Sequence, residues 1–199
     1  MLPDPNNPQQ SAGIFGLLIT DLTRFWQAQL STQKIRFTPP HLAGYDLLRR
    51  WPRYTNTAGD FAKDPAVHCR GDNTIYVNRT LTTTLYEQIG DFAVGYAVAS
   101  AYGDDVQIDL GSKLTCARRA LLDDCLAGAY TRTTIPTASS QPDQVSVQAG
   151  DLDEAVKTAV TIGDDPSTED KLGTGYGKVA AFRQGVLGGS DARKPLMGE

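Results

Sequence analysis

The residues that could do chemistry in this 199-residue chain are mainly carboxylates, because it contains two histidines and three cysteines. Asp104, Asp105 and Asp109 fall in one predicted helix, and Asp123 and Asp124 fall in the next. If the two helices cross near these positions, the carboxylates can gather into an oxygen site for Ca²⁺ or Mg²⁺. Alternatively, Asp105 and Asp109 lie on a solvated face, Asp123 is exposed and Asp124 is a hydrogen-bond acceptor in the core. The second interpretation is favoured, and Asp104, Asp105 and Asp124 are the candidates for any residual carboxylate cluster.

The other reactive side chains lack suitable neighbours in the sequence. Neither His41 nor His68 has a His, Cys or Glu at metal-ligand spacing on a helix, so both are predicted to be ordinary loop histidines. Ser100 has no His or Lys at a spacing that would supply a general base. We expect its hydroxyl to bond the carbonyl group one turn back in the helix. No catalytic residue, metal or cofactor is therefore predicted.

The helix that carries Ser100 resembles the active-site helix of the bacterial neutral zinc metallopeptidases. Residues 90–107 read GDFAVGYAVASAYGDDVQ. The family reads approximately GDFA, five variable residues and then AHExGHxxQ. Three further segments, in residues 118–130, 150–165 and 172–185, extend the resemblance over about residues 60–189.

The resemblance implies a zincin-like fold and a degenerate metal site. In that family two histidines and a downstream glutamate bind zinc, and a glutamate between the histidines accepts a proton from the metal-bound water. Ser100, Ala101 and Asp104 stand in place of His, Glu and His. Ala120 stands in place of the third ligand, and Leu172 stands in place of a later histidine. The former active site is thus predicted to lack its zinc ligands and its general base.

The resemblance also implies a disulfide bond. Cys69 and Cys125 stand where the family places a cysteine pair, which leaves Cys116 as a free thiol. The alternative is three reduced, buried cysteines in a cytoplasmic protein.

Composition limits the partners and the location of the chain. A net charge of −4 gives no broad attraction to nucleic acid. No stretch approaches the roughly 18 apolar residues of a membrane span, and residues 1–10 lack the features of a signal peptide. Because members of the family often carry an N-terminal membrane anchor, we expect an extracytoplasmic domain of the cell envelope, attached to the membrane through an anchor absent from this chain.

The pattern along the chain predicts a mostly helical α+β domain with a small β-sheet. Residues 1–11 are predicted to be a linker or tail, 12–189 a single zincin-like domain and 190–199 a flexible C-terminal tail. Apolar spacing and capping residues predict helices over residues 12–31, 80–89, 92–109, 115–131, from 151 onward, and 174–187. Residues 35–37 and 74–77 are predicted to be short strands.

These observations predict a catalytically inactive, metallopeptidase-like pseudoenzyme that binds or scaffolds a protein or peptide partner in the bacterial cell envelope. Since a fold does not specify a function, two alternatives stay open. One is a divergent hydrolase with an Asp-rich metal site, and the other is a purely structural extracytoplasmic domain of a membrane protein. Carboxylates that converge at the former active site would favour the hydrolase. A former site filled by side chains would favour the structural role, and an open cleft would favour the binding role.

Overall fold

The computed structural model describes residues 8–43, 64–137, 144–163 and 173–198. The elements, in chain order, are α1 Pro8–Thr32, β1 His41–Ala43, β2 Ala66–Cys69, β3 Thr74–Val77, α2 Arg79–Gln88, α3 Asp91–Asp109, α4 Cys116–Thr134, α5 Asp151–Gly163 and α6 Gly175–Gly188. A 3₁₀ helix, Gly189–Arg193, and a last short helix, α7 Lys194–Met197, follow. This architecture confirms the predicted mostly helical α+β class. No helix within the described ranges is long and apolar enough to cross a membrane.

The three-stranded sheet places β3 in the centre, parallel to β1 and antiparallel to β2. The predicted strand at residues 74–77 is confirmed, and its Ile75 is fully buried. The predicted strand at residues 35–37 is wrong. Pairing begins instead after the two prolines, where the His41 backbone N–H donates to the Asn73 carbonyl oxygen over 2.7 Å. In this order β2 is an edge strand of the described sheet.

Helix α3 forms the centre of the core, as its run of apolar and small residues predicts. Most of its residues from Phe92 to Gln107 are buried. It approaches α4 closely at Gly103, where a Cβ atom would lie 2.9 Å from the Asp123 carbonyl oxygen. This contact brings the C-terminal half of α3 against the N-terminal half of α4.

Helices α4 and α6 also cross in backbone contact. A Cβ atom at Gly185 would overlap the Cys125 carbonyl oxygen, and one at Gly128 would overlap the Phe182 carbonyl oxygen. The two glycines therefore set the close spacing that lets side chains of α6 reach the carboxylates of α4.

Both ends of the predicted domain require correction. Helix α1 begins at Pro8, so residues 8–11 are not a linker; residues 1–7 lie outside the described part. The C-terminal segment is not a flexible tail, because it forms the 3₁₀ helix and α7 and is bonded to α1. Arg193 is 3% exposed and donates to the Gln33 side-chain oxygen over 2.6 Å. Burial of this guanidinium holds the last residues in place.

Candidate functional site

A cleft with a volume of about 280 Å³ lies between β2, α3, α4 and α6, and we call it the central cleft. Its lining includes His68, Arg70, Tyr96, Ser100, Ala101, Asp104, Ala120, Asp123 and Lys178. The structure thus brings together four of the five positions that the sequence marks as a degenerate active site. The fifth, Leu172, lies outside the described residues.

A buried ion pair forms one wall of the central cleft. Lys178 of α6 donates from Nζ to Oδ2 of Asp124 on α4 over 2.8 Å, and their side chains are 5% and 0% exposed. The other carboxylate oxygen, Oδ1, accepts from the Tyr96 hydroxyl over 2.6 Å and from the Ser100 hydroxyl over 3.1 Å. Asp124 is therefore a hydrogen-bond acceptor in the core, as the favoured interpretation predicts.

The Ser100 hydroxyl was expected to bond the carbonyl one turn back, and that prediction is wrong. Its acceptor is Asp124, whose carboxylate also binds the ammonium of Lys178 and the phenol of Tyr96. Burial, reinforced by the charge of Asp124, raises the pKa of Tyr96 well above its usual value, so the phenol stays a donor. The hydroxyl of Ser100 therefore bonds a carboxylate that is already engaged, and the arrangement is not that of an activated nucleophile.

Asp104 is surrounded by three bases. His68 Nδ1 lies 3.0 Å from Oδ2, Arg119 Nε lies 2.5 Å from Oδ1, and Arg70 Nη2 lies 3.3 Å from Oδ1. Burial alone would raise the pKa of Asp104, but the hydrogen bonds from His68 and Arg119 and the charges of both arginines hold it well below its ordinary value. Asp104 is thus ionised and fully engaged by the protein's own cations.

His68 lies in β2 and is buried, so the prediction of an ordinary loop histidine is wrong. Its Nε2 lies 2.8 Å from Oδ1 of Asn73, whose amide nitrogen donates to two backbone carbonyl oxygens. That assignment makes Nε2 a donor, while Nδ1 faces the carboxylate of Asp104. Burial lowers the pKa of His68, but these hydrogen bonds and the charges of Asp104 and Asp105 raise it. The raising effects together outweigh burial, so the pKa lies above its ordinary value of 6.5. The geometry is that of an imidazolium ion.

Two further carboxylates stand near the central cleft in unusual environments. The favoured interpretation of the sequence placed Asp105 on a solvated face, and this is wrong because Asp105 is buried. Its Oδ2 atom has no hydrogen-bond partner among the described residues. Burial raises the pKa of Asp105 to about 7. Asp123 is half-buried rather than exposed and accepts from the side chain of Gln107. Burial, and then the charge of Asp104, raise the pKa of Asp123 well above its usual value.

Asp104, Asp105 and Asp124 do not form the residual carboxylate cluster that was considered from the sequence. Asp104 and Asp124 are each bound to basic side chains, and Asp105 lies 3.6 Å from Nε2 of His68. A cation would have to displace these bases before it reached the oxygens. The site is therefore ill-suited to Ca²⁺ or Mg²⁺.

Within the described ranges, the acidic group with ligand atoms close enough together for a metal is Asp91, Asp151 and Glu154. Glu154 accepts from the Phe92 backbone N–H over 2.9 Å, at the first turn of α3. Asp151 accepts from the Gln148 backbone N–H over 2.7 Å, at the first turn of α5. Carboxylates are favoured at helix N-termini, so these contacts account for two of the three side chains without an ion.

The predicted disulfide between Cys69 and Cys125 is absent, since both are free, buried thiols. They lie in different surroundings. The Cys69 thiol interacts with Asp72 in the turn after β2, whereas Cys125 lies on α4, with Asp124 and Arg193 as its charged neighbours. Burial raises the pKa of both thiols, that of Cys125 to about 12. The side chain of Cys116 is not among those described.

Sequence reasoning missed Lys178, Arg119, Tyr96 and His68 as residues of this site. One signal was available for Lys178. It precedes Ala181, Phe182 and Gly185 by three, four and seven residues, and all four are buried on one face of α6. A lysine in that register is buried and needs an acidic partner.

Residues 4–186 match the protein family described as "Putative neutral zinc metallopeptidase". The chain belongs to this family. Two curated relatives, each called "Uncharacterized protein YpfJ", come from Escherichia coli strains K12 and O6:H1 (CFT073). Each is 26% identical over 179 residues, which cover 80% of this chain and 58% of the relative's own length. No solved structure matches.

Zinc, the metal in the family's description, does not fit the residues at this site. Ala101 and Ala120 have no donor atom, and the hydroxyl of Ser100 is bonded to Asp124. Protein zinc sites use imidazole, thiolate and carboxylate ligands, and among these four former positions only Asp104 carries one. That carboxylate is bound by His68 and Arg119. No step that uses zinc is derived for this member of the neutral zinc metallopeptidase family.

Proposed function

We propose that this chain is a catalytically inactive member of the neutral zinc metallopeptidase family that binds a protein or peptide segment in the central cleft. One observation carries the proposal: the carboxylates of Asp104 and Asp124, in and beside the former site, are paired with basic side chains of the same chain. Asp104 binds His68, Arg70 and Arg119, and Asp124 binds Lys178. Basic side chains supply here the positive charge that a metal ion would bring to an active zinc site.

The shape of the central cleft supports binding over a purely structural role. Its volume of about 280 Å³ is not filled by described side chains. Residues Ala66, Val67 and His68 of the edge strand β2 line it. An edge strand can accept an extended peptide as an additional strand, with main-chain hydrogen bonds providing affinity. The proposed ligand is therefore an extended peptide segment.

The proposal includes a location in the bacterial cell envelope, with membrane attachment through a segment outside this chain. It rests on the resemblance to a family whose members often carry such an anchor. The net charge of −4 argues against nucleic acid as the partner.

The catalytic half of the proposal is tested by adding zinc to the purified protein and measuring peptide hydrolysis with and without a chelator. We expect no chelator-sensitive cleavage, and far less than one zinc per chain by elemental analysis after desalting. One zinc per chain that survives mild chelation, or cleavage that a chelator abolishes, would contradict it.

The binding half is tested by nuclear magnetic resonance with ¹⁵N-labelled protein and a tryptic digest of a denatured protein as a mixture of unstructured peptides. We expect shifts of the backbone amide signals of Ala66–His68 and of cleft residues on α3. An unchanged spectrum, or shifts confined to other surfaces, would favour a purely structural domain.

A further inference from the structure

We propose that the central cleft contains a carboxylate-binding subsite, formed by Lys178 and Arg70, that holds an acidic group of the peptide ligand. The inference rests on the proposed function, since it names the chemistry by which that ligand is recognised. The carboxylate can come from a chain terminus or from an Asp or Glu side chain.

The first observation is the unused hydrogen-bonding capacity of Lys178. An ammonium group has three N–H donors, and within the described ranges that of Lys178 makes one hydrogen bond, to Asp124. Its side chain is 5% exposed, yet it lines the central cleft. A buried ammonium gains from further acceptors, because unpaired donors in a low-dielectric site are costly. An acceptor oxygen that enters the cleft can supply them.

The second observation is the placement of Arg70 at the same cleft. Its side chain is 55% exposed, and its contacts to Asp104 are long, at 3.3 and 3.4 Å. Those contacts use Nε and Nη2 and leave other N–H groups of the guanidinium for a ligand. Since Asp104 is also bound by His68 and Arg119, Arg70 can turn towards a ligand without leaving that carboxylate unpaired. Guanidinium groups bind carboxylates with two parallel hydrogen bonds.

The third observation is the charge balance of the lining. Three basic side chains, His68, Arg70 and Lys178, line the cleft, and Arg119 is hydrogen-bonded to Asp104. Three acidic side chains, Asp64, Asp104 and Asp123, line the cleft as well. His68 and Arg119 bind Asp104, and burial raises the pKa of Asp123 well above its usual value. Among the basic groups of the lining, Lys178 and Arg70 keep N–H donors that the described residues leave unused, and such donors favour an anionic ligand over a cation.

The inference is tested by nuclear magnetic resonance on the whole chain with three small probes. They are acetyl-Ala-Ala-Ala with a free C-terminal carboxylate, the same peptide as its amide, and acetyl-Ala-Glu-Ala-amide. Signals of the Lys178 side-chain ammonium and of the β2 backbone amides report on the site. We expect one or both carboxylate probes to shift the ammonium signal, and the neutral amide to bind at least tenfold more weakly. The responding probe identifies the source of the carboxylate.

Arg70→Gln tests the arginine without loss of a buried charge partner, and we expect about a tenfold loss of affinity for the carboxylate probe, the effect of one charged hydrogen bond. Arg183→Gln is the matched control, because Arg183 is exposed on α6 and does not line the cleft; its affinity should be unchanged. Arg70→Lys should retain part of the affinity. Lys178 is not substituted, because its replacement would leave the carboxylate of Asp124 buried and unpaired. The resonance of its own side-chain ammonium group reports ligand binding instead.

The outcomes separate the inference from the proposed function. Equal binding of the amide and acid probes at β2 would overturn the carboxylate subsite and leave peptide binding intact. Binding of acetate alone that depends on Arg70, without binding of any peptide, would support the subsite and overturn peptide binding. Absence of any response from the cleft, or equal losses in Arg70→Gln and Arg183→Gln, would overturn the subsite.

Discussion

The Nζ atom of Lys178 lies 2.8 Å from Oδ2 of Asp124, and this buried pair joins α6 to α4 beside the central cleft. The other oxygen of Asp124 binds Tyr96 and Ser100, both on α3. One carboxylate thereby connects three helices. A buried ion pair of this kind specifies the geometry more than it stabilises the fold, because desolvation offsets much of the attraction.

The first prediction concerns the removal of one or both members of this pair. Lys178→Met should lower the free energy of unfolding by about 3–5 kcal/mol, because it leaves the buried carboxylate of Asp124 without its cation. The double variant Lys178→Met with Asp124→Leu should recover much of that loss, since no unpaired charge then remains. Urea unfolding of the wild type and the variants measures both effects.

The corresponding control is Asp124→Leu alone, which leaves the ammonium of Lys178 unpaired and should be destabilising as well. Additive losses in the double variant would mean that the two side chains do not interact, contrary to the 2.8 Å contact.

The sequence predicted the parts of this site that lie close together along the chain, and it did not predict contacts between distant segments. The order of short motifs identified the family, and the α3 pattern located Ser100, Ala101 and Asp104 at one cleft. The basic partners of Asp104 could not be predicted, because they come from β2 and from the N-terminal part of α4. Such partners are set by helix crossing at glycines, which no local spacing encodes.

The same reason explains the errors in the fold. Helix α3, predicted from its run of apolar and small residues, and helix α6 were both predicted within a residue or two. The strand at His41–Ala43 was missed, because its pairing with β3 depends on residues that lie more than 30 positions away. The C-terminal segment was predicted to be a tail, since a buried arginine, Arg193, anchors it through a bond to Gln33, in the turn after α1 and far away in the sequence.

The second prediction is a loss of stability as the pH rises through the weakly acidic range to neutrality. The folded pKa of Asp105 is raised from 3.8 to about 7, so its contribution to stability is full below about 3.8 and is lost as the pH rises through 7. The pKa of His68 is raised above 6.5, and the stability linked to its protonation is likewise lost as the pH rises through the folded value. The urea midpoint should therefore fall as the pH rises from about 4 to about 7, and the contribution of His68 should extend the fall above pH 6.5.

Asp105→Asn identifies the group responsible. It removes the charge whose Oδ2 has no partner, so at pH 8 it should raise the free energy of unfolding by roughly 1–3 kcal/mol and flatten the pH dependence. Asp153→Asn, on the exposed face of α5, should change neither. If the free energy of unfolding depends on pH in the same way in the wild type and in Asp105→Asn, the prediction is wrong. Ionisation of Asp105 would then not destabilise the folded protein.

The third prediction is that Cys69 and Cys125 are reduced thiols in the purified protein. Both are buried, and burial raises the pKa of each thiol, so iodoacetamide should label neither in the native state. After unfolding in denaturant without any reductant, both should be labelled completely. Mass spectrometry of the digested protein measures this directly, and a peptide that joins Cys69 to Cys125 would restore the pairing implied by the family resemblance.

The fourth prediction concerns reconstruction of the missing metal site. Ser100→His alone should gain neither zinc binding nor peptide hydrolysis, because zinc catalysis needs three protein ligands and a proton acceptor. The quadruple variant Ser100→His, Ala101→Glu, Asp104→His and Ala120→Glu supplies the ligand types. It also removes the carboxylate that pairs with Arg70 and Arg119, so two guanidinium groups without that partner would lie beside the metal.

A fifth substitution, Arg119→Gln, removes the cation closest to position 104. We expect it to tighten zinc binding of the quadruple variant at least tenfold, since repulsion from a charge a few ångströms away exceeds about 1.4 kcal/mol at a partly buried site. Zinc affinity is measured by competition with a chromogenic chelator, and Arg118→Gln in the same background is the neighbouring control. Equal affinity in the two five-fold variants would show that the bases around Asp104 do not oppose a metal. Tightening in the Arg119 variant alone would support the proposal that these side chains have taken the place of the metal's charge.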